Sequence, residues 1–154
     1  GELMLMKDHI ILVGMVGNNP LMGPNDDSVG PRFPGMTRTY DRHLREIAVR
    51  VADEQGITLH QGVYIGLSGP AFETPAEVRM LRVWGADVAG MSTVHEVLVA
   101  RHVGMRVLAF SSITNKAIDD VDAEGETNHE EVLEVGQLIV PRLTMLLKGV
   151  LRAI

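Results

Sequence analysis

Val63-Tyr64-Ile65-Gly66-Leu67, then Thr74-Pro75-Ala76-Glu77 running on to Trp84 and Gly85, then Asp87-Val88-Ala89-Gly90, then Thr93-Val94-His95-Glu96 running on to Gly104, then Val107-Leu108-Ala109-Phe110-Ser111: this stretch decides the fold. Its first, third and fifth pieces are short apolar runs of strand length. The two between them open as capping boxes, a threonine followed three residues later by glutamate, and the first also has proline at the first helical position. Gly85 and Gly104 then stop each helix. Strands alternating with helices at this spacing predict an α/β fold with a mixed, mostly parallel central sheet flanked by helices.

Working outward, Leu3–Met6 and Ile10–Val13 read as two short buried strands. Gly14 to Arg38 is crowded with glycine and proline and is expected to be one long irregular stretch, a length usually functional or disordered. From Asp41 the pattern turns helical, with Leu44, Ile47, Ala48 and Val51 on one face. An acidic run follows Thr114. A last helix is expected from about Asn128, where Pro141 should kink it or mark the junction of two segments.

The chain has 154 residues, of which 45% are hydrophobic and 22% charged. This is the mix of an ordinary globular protein, read as a single domain over 1–154. Fourteen Lys+Arg against 20 Asp+Glu leave a net charge of −6, which argues against a nucleic-acid partner. With no cysteine, disulfides, thiolate zinc sites and a thiol nucleophile are all excluded. No apolar stretch reaches the ~20 residues that span a bilayer, and Ile10–Val16 lacks the features of a signal peptide, so no membrane partner and a cytoplasmic location are expected. Gly1 leads directly into strand-like sequence, which reads as the interior of a larger protein.

Ligands of parallel α/β sheets gather beyond the carboxyl ends of the strands, which predicts that Ser68–Thr74, Gly90–Thr93 and Ser111–Lys116 share one rim. Three apparent signatures are weak. Gly66-Leu67-Ser68-Gly69-Pro70 approaches a nucleophile elbow, but Pro70 stands where its outer glycine belongs. His95-Glu96 and His102 suggest a zinc helix, but with the histidines seven apart and no third ligand. Asp120 to Glu131 approaches an EF-hand loop without a preceding helix, and supplies the alternative of a calcium-binding module. No metal is expected. Glu73 can complement a helix dipole or accept from a ligand beside the aromatic wall of Phe72. Asn115 can donate and accept at once, and His129 can bond a hydroxyl.

Six segments together resemble the trimeric purine nucleoside phosphorylases: Gly23-Pro24-Asn25-Asp26, Arg32-Phe33-Pro34, Gly69-Pro70-Ala71-Phe72-Glu73-Thr74, Gly90-Met91-Ser92-Thr93-Val94, Ile113-Thr114-Asn115-Lys116 and Asn128-His129-Glu130-Glu131. They stand in the family's order at similar separations, and the resemblance is to its carboxyl-terminal half or slightly more. It implies phosphorolysis of inosine or guanosine to free purine and ribose 1-phosphate, with no cofactor and inorganic phosphate as co-substrate. It further implies that Glu73 accepts from the purine N1–H, that Asn115 bonds O6 and N7, and that His129 holds the 5′-hydroxyl. Phe72 would pack on the base and Met91 on the ribose, Ser92 would contact phosphate, and Phe33 would reach into a neighbouring subunit of a homotrimer. The family's amino-terminal strands and its main phosphate-binding groups have no counterpart here. The chain is therefore expected to be incompetent alone and to expose apolar surface. A non-catalytic purine-binding module is the other reading of the same pocket.

Overall fold

A computed structural model describes residues 1–154. Its elements in order are β1 (Glu2–Ile11), α1 (Leu12–Met15), α2 (Arg42–Glu54), β2 (Leu59–Gly66), α3 (Pro75–Val83), β3 (Val88–Gly90), α4 (Val94–His102), β4 (Phe110–Ile113) and α5 (His129–Ala153). The sheet order is β3-β2-β1-β4. β1 runs parallel to β2, and β2 parallel to β3. β4 lies antiparallel on the other side of β1, with Glu2 opposite Ile113 and Leu5 opposite Phe110. The sheet is thus mixed and mostly parallel, as expected.

β1 shows why this sheet needs helices on both faces. Side chains alternate along a strand. Leu3 and Leu5 enter a cluster with Ile47, Ala48 and Val51 of α2 and Ile139, Leu146 and Val150 of α5. Met4 and Met6 face the other way, toward Tyr40, Tyr64, Val94 and Val97. All four β1 residues are at most 1% exposed. At about 1.5–3 kcal/mol for each buried large apolar side chain, this strand is the centre of the hydrophobic stabilisation.

Several expected boundaries move. Leu3–Met6 and Ile10–Val13 are not two strands: one strand runs through Lys7, Asp8 and His9, with a register shift between Met6 and Asp8 that absorbs the polar residues. Val13 falls in α1, a single helical turn. β2 begins at Leu59, four residues before the expected start. The last strand starts at Phe110, and Val107 forms only an isolated bridge with Tyr40. α5 continues unbroken through Pro141, with buried side chains on both sides of the proline. On either side of that buried face, Leu138 is 72% and Leu151 73% exposed.

Candidate functional site

The first arm of the site is the loop between β2 and α3. Local capping organises its far end: Glu77 N donates to Thr74 Oγ1 at 3.3 Å, and Thr74 N donates to Glu77 Oε2 at 2.7 Å, completing the predicted box. The bonds its carboxylate accepts from Thr74 N and then Thr74 Oγ1 hold the Glu77 carboxyl below its ordinary range. Glu73, one residue before the cap, is therefore positioned by the start of α3. Its carboxylate is half-buried and makes no hydrogen bond or ion pair within the chain.

The second arm is the turn from β3 into α4. The expected Thr93–Glu96 capping box does not form: Thr93 has φ 73° and ψ −51°, with no side-chain cap. Val94 N instead donates to Ser92 O at 2.8 Å, closing a γ-turn around a β-branched residue, a strained conformation. Tyr64, buried on β2, accepts from Ser92 N at 3.3 Å. The turn approaches β2 so closely that a Cβ on Gly90 would collide with the Tyr64 hydroxyl, and one on Gly66 with Val94 Cγ2. Nothing in the local sequence marks Tyr64 for this role.

The third arm, after β4, arrives by a route the parallel-sheet rule does not describe. Because β4 is antiparallel, its carboxyl end lies beside the start of β1, and not at the end where β2 and β3 finish. Ser112 to Ala117 nevertheless line one cleft of 590 Å³ together with Phe72, Glu73, Gly90 and Met91. A second cleft of 600 Å³ shares Phe72, Glu73 and Asn115 and continues toward Asp120 and Glu126. Thr114 Oγ1 donates to Asn115 Oδ1 at 2.9 Å, and the Asn115 amide nitrogen makes no hydrogen bond within the chain. A free acceptor and a free donor thus line the same space, beside an aromatic ring 40% exposed.

Not every expected residue joins them. Ser92 and His129 are exposed and line neither cleft; His129 is the first residue of α5, behind an Asn128 cap that accepts from Glu131 N at 2.8 Å. Phe33 stands outward on the long loop, 88% exposed, with the Arg32 guanidinium 5.5 Å from its ring centre. A third, apolar cleft of 360 Å³ lies between α1 and α3, lined by Leu12, Val13, Val16, Phe72 and Met80 and bordered by Glu73 and Glu77.

The competing motifs resolve into structural roles. Eight residues separate Gly66 from the start of α3, so no sharp strand-to-helix elbow presents Ser68. His95 Nε2 donates to the Asn18 carbonyl at 3.1 Å and His102 Nε2 to Asn25 Oδ1 at 3.0 Å, which ties the long loop to α4. The Asp120–Glu131 loop follows a strand and not a helix, and it gathers no three side chains placed to hold a metal ion.

Residues 1–152 match the family model of the phosphorylase superfamily. The chain is 52% identical over 145 residues to the purine nucleoside phosphorylase of Bos taurus, covering 93% of this chain and 50% of that protein. It is 45% identical over 152 residues to purine nucleoside phosphorylase 1 of Geobacillus stearothermophilus, covering 99% and 54%. Among solved structures, Schistosoma mansoni purine nucleoside phosphorylase in complex with inosine superposes with a TM-score of 0.97 at 44% identity, covering 100% of this chain and 55% of that one. The chain therefore spans about half the length of the relatives it matches. On its sequence and its fold alike, it belongs to the phosphorylase superfamily and is similar to the purine nucleoside phosphorylases within it.

Proposed function

We propose that this chain forms the base- and sugar-binding part of a purine nucleoside phosphorylase acting on 6-oxopurine nucleosides. The observation that carries this reading is the unpaired Glu73 carboxylate and the unpaired Asn115 amide in one cleft with Phe72 and Met91. Solved relatives support it: schistosome enzymes hold hypoxanthine, inosine and guanosine, and another purine nucleoside phosphorylase holds ribose 1-phosphate. One schistosome structure holds adenosine, so the selectivity proposed is a difference in affinity and turnover.

In this reading phosphate attacks C1′ of inosine or guanosine, the C1′–N9 bond breaks, and its electron pair leaves with the purine. Glu73 accepts from N1–H, and from the 2-amino group of guanine. The Asn115 amide donates toward O6 and N7, where negative charge grows as the bond breaks, so it acts chiefly in the transition state. An adenine, without N1–H, leaves Glu73 unpaired, the kind of mismatch that site chemistry discriminates strongly. Met91 packs on the ribose, His129 holds the 5′-hydroxyl, and Ser92 contacts phosphate. No metal or cofactor enters the step.

A homotrimer suits the surface chemistry. Phe33, flanked by Arg32, offers an apolar knob with positive charge, and the α1–α3 cleft offers an apolar socket bordered by Glu73 and Glu77. Knob and socket are different surfaces, so their pairing is head-to-tail and can close a ring. Phosphate binding needs groups beyond Ser92, so turnover requires the rest of a full-length enzyme. No helix is long and apolar enough to cross a membrane, and we place the reaction in the cytoplasm.

The test is hypoxanthine release from inosine with and without phosphate, alongside equilibrium binding of hypoxanthine to the chain. Binding without release makes the isolated chain a purine binder, and phosphate-dependent release makes it an enzyme. Glu73→Ala should abolish binding. Undiminished affinity in that variant overturns the assignment.

A further inference from the structure

Between β4 and α5 the chain has no helix or strand, yet this segment carries Asn115. Apart from the bond Asn115 accepts from its chain neighbour Thr114, residues 115–127 are joined to the rest of the chain by hydrogen bonds at one place only, Asp119. Arg82 Nη1 donates to Asp119 Oδ2 at 2.6 Å, and Arg79 Nη1 donates to the Asp119 carbonyl at 2.5 Å. Both arginines belong to α3, the helix whose N-terminus sets Glu73.

We propose that the clasp of Arg79 and Arg82 on Asp119 is a positioning device that holds Asn115 across from Glu73, so that both groups reading the base take their places from α3. This rests on the base-site reading above. Arg82 lines one cleft that contains Glu73 and Asn115, whereas Asp119 lines neither, so Asp119 acts through Asn115 and not by touching the ligand. Released from the clasp, the segment places Asn115 correctly only part of the time, and the observed affinity falls by that fraction. The Arg82 and Asp119 side chains are 60% and 38% exposed, so solvent and salt weaken the tie and the effect is modest. The bond from Arg82 also keeps the Asp119 carboxyl below its usual range, so the charge persists wherever the protein is near neutral pH.

The test is hypoxanthine binding to the full 154-residue chain in wild type, Asp119→Ala and the charge-retaining Asp119→Glu, with amide hydrogen exchange of 115–127 followed in parallel. Asp119→Ala should bind about threefold to fivefold more weakly, and Asp119→Glu, which keeps the charge for Arg82, should recover most of the loss. Wild-type affinity should fall with added salt more steeply than that of Asp119→Ala, at an unchanged unfolding midpoint. Exchange in 115–127 should quicken in Asp119→Ala even without ligand. Wild-type binding with undiminished affinity in Asp119→Ala overturns the clasp whatever the exchange shows. Absence of binding in wild type overturns the base-site reading, and the clasp's role with it.

Discussion

Gly66→Ala should be costly for a reason located in one neighbour. A Cβ at this position falls inside the contact distance of Val94 Cγ2 and lies 3.3 Å from both Val94 Cβ and Cγ1. Carbon atoms pack best at about 3.5–4.0 Å, and Val94 is 1% exposed, so its side chain has nowhere to turn. Either α4 shifts from β2 or the valine leaves its rotamer, at about 1–3 kcal/mol. Val94→Ala alone should cost about 2 kcal/mol through lost burial and the cavity left behind. In the double variant the new methyl enters the space the valine vacates. Its stability should therefore match that of Val94→Ala, with a favourable coupling of about 1–3 kcal/mol. Urea unfolding of the four proteins, read by far-UV circular dichroism and by Trp84 fluorescence, measures that coupling. Costs that add to within about 0.5 kcal/mol would refute the reasoning, because the two residues would not then share a contact.

The γ-turn makes a prediction of the opposite sign. Thr93→Gly removes the steric penalty of positive φ on a β-branched residue and should stabilise by about 1 kcal/mol, raising the thermal midpoint by about 2–4 °C; a lowered midpoint would show that the Thr93 side chain holds more than its backbone costs. His9, held by Tyr40 Oη at 3.0 Å, has its pKa depressed below 6.5, first by burial, with Asp8 opposing. Its contribution is thus present above 6.5 and lost as pH falls through the depressed value. Urea midpoints should drop on acidification from pH about 7.5 to about 5. His9→Gln should flatten that drop, and an equal drop in the variant would assign the titration to other groups.

What was legible in the sequence was what is decided locally. The Thr74–Glu77 box forms as read, because it satisfies its own orphan amides within four residues; α2 likewise begins where the pattern turns helical, with Asp41 as its N-cap. The Thr93–Glu96 box had the same letters and failed, since the approach of β3 and α4 to Tyr64 and Gly66 sets the Thr93 backbone from outside. β1 was misread as two strands because Lys7-Asp8-His9 breaks the apolar pattern, and the bulge that accommodates them exists only against β2. The sense of β4 depends on which neighbour it finds, and Leu5 is more than a hundred residues away. Glu73, Phe72 and Asn115 stand out as polar or aromatic residues at strand ends and Met91 through a resemblance, and the structure adds that they share a cleft. Arg82 and Asp119 carried no local signal, being two charged residues 37 positions apart.

The place of β1 in the sheet has a consequence for how the protein comes into being. β1 is deeply enclosed, and none of its partners is nearby in sequence: Leu3 pairs with Leu59 and Ser112 and packs in a cluster with Leu146. Long-range pairings of this kind bring their reward only after the entropy of closing long loops has been met, which slows folding. During synthesis Leu3, Met4, Leu5 and Met6 stay apolar and incompletely paired until residues about a hundred positions later have emerged. A nascent chain in that condition is a natural client for chaperones, and β1 completes its pairing only when β4 arrives.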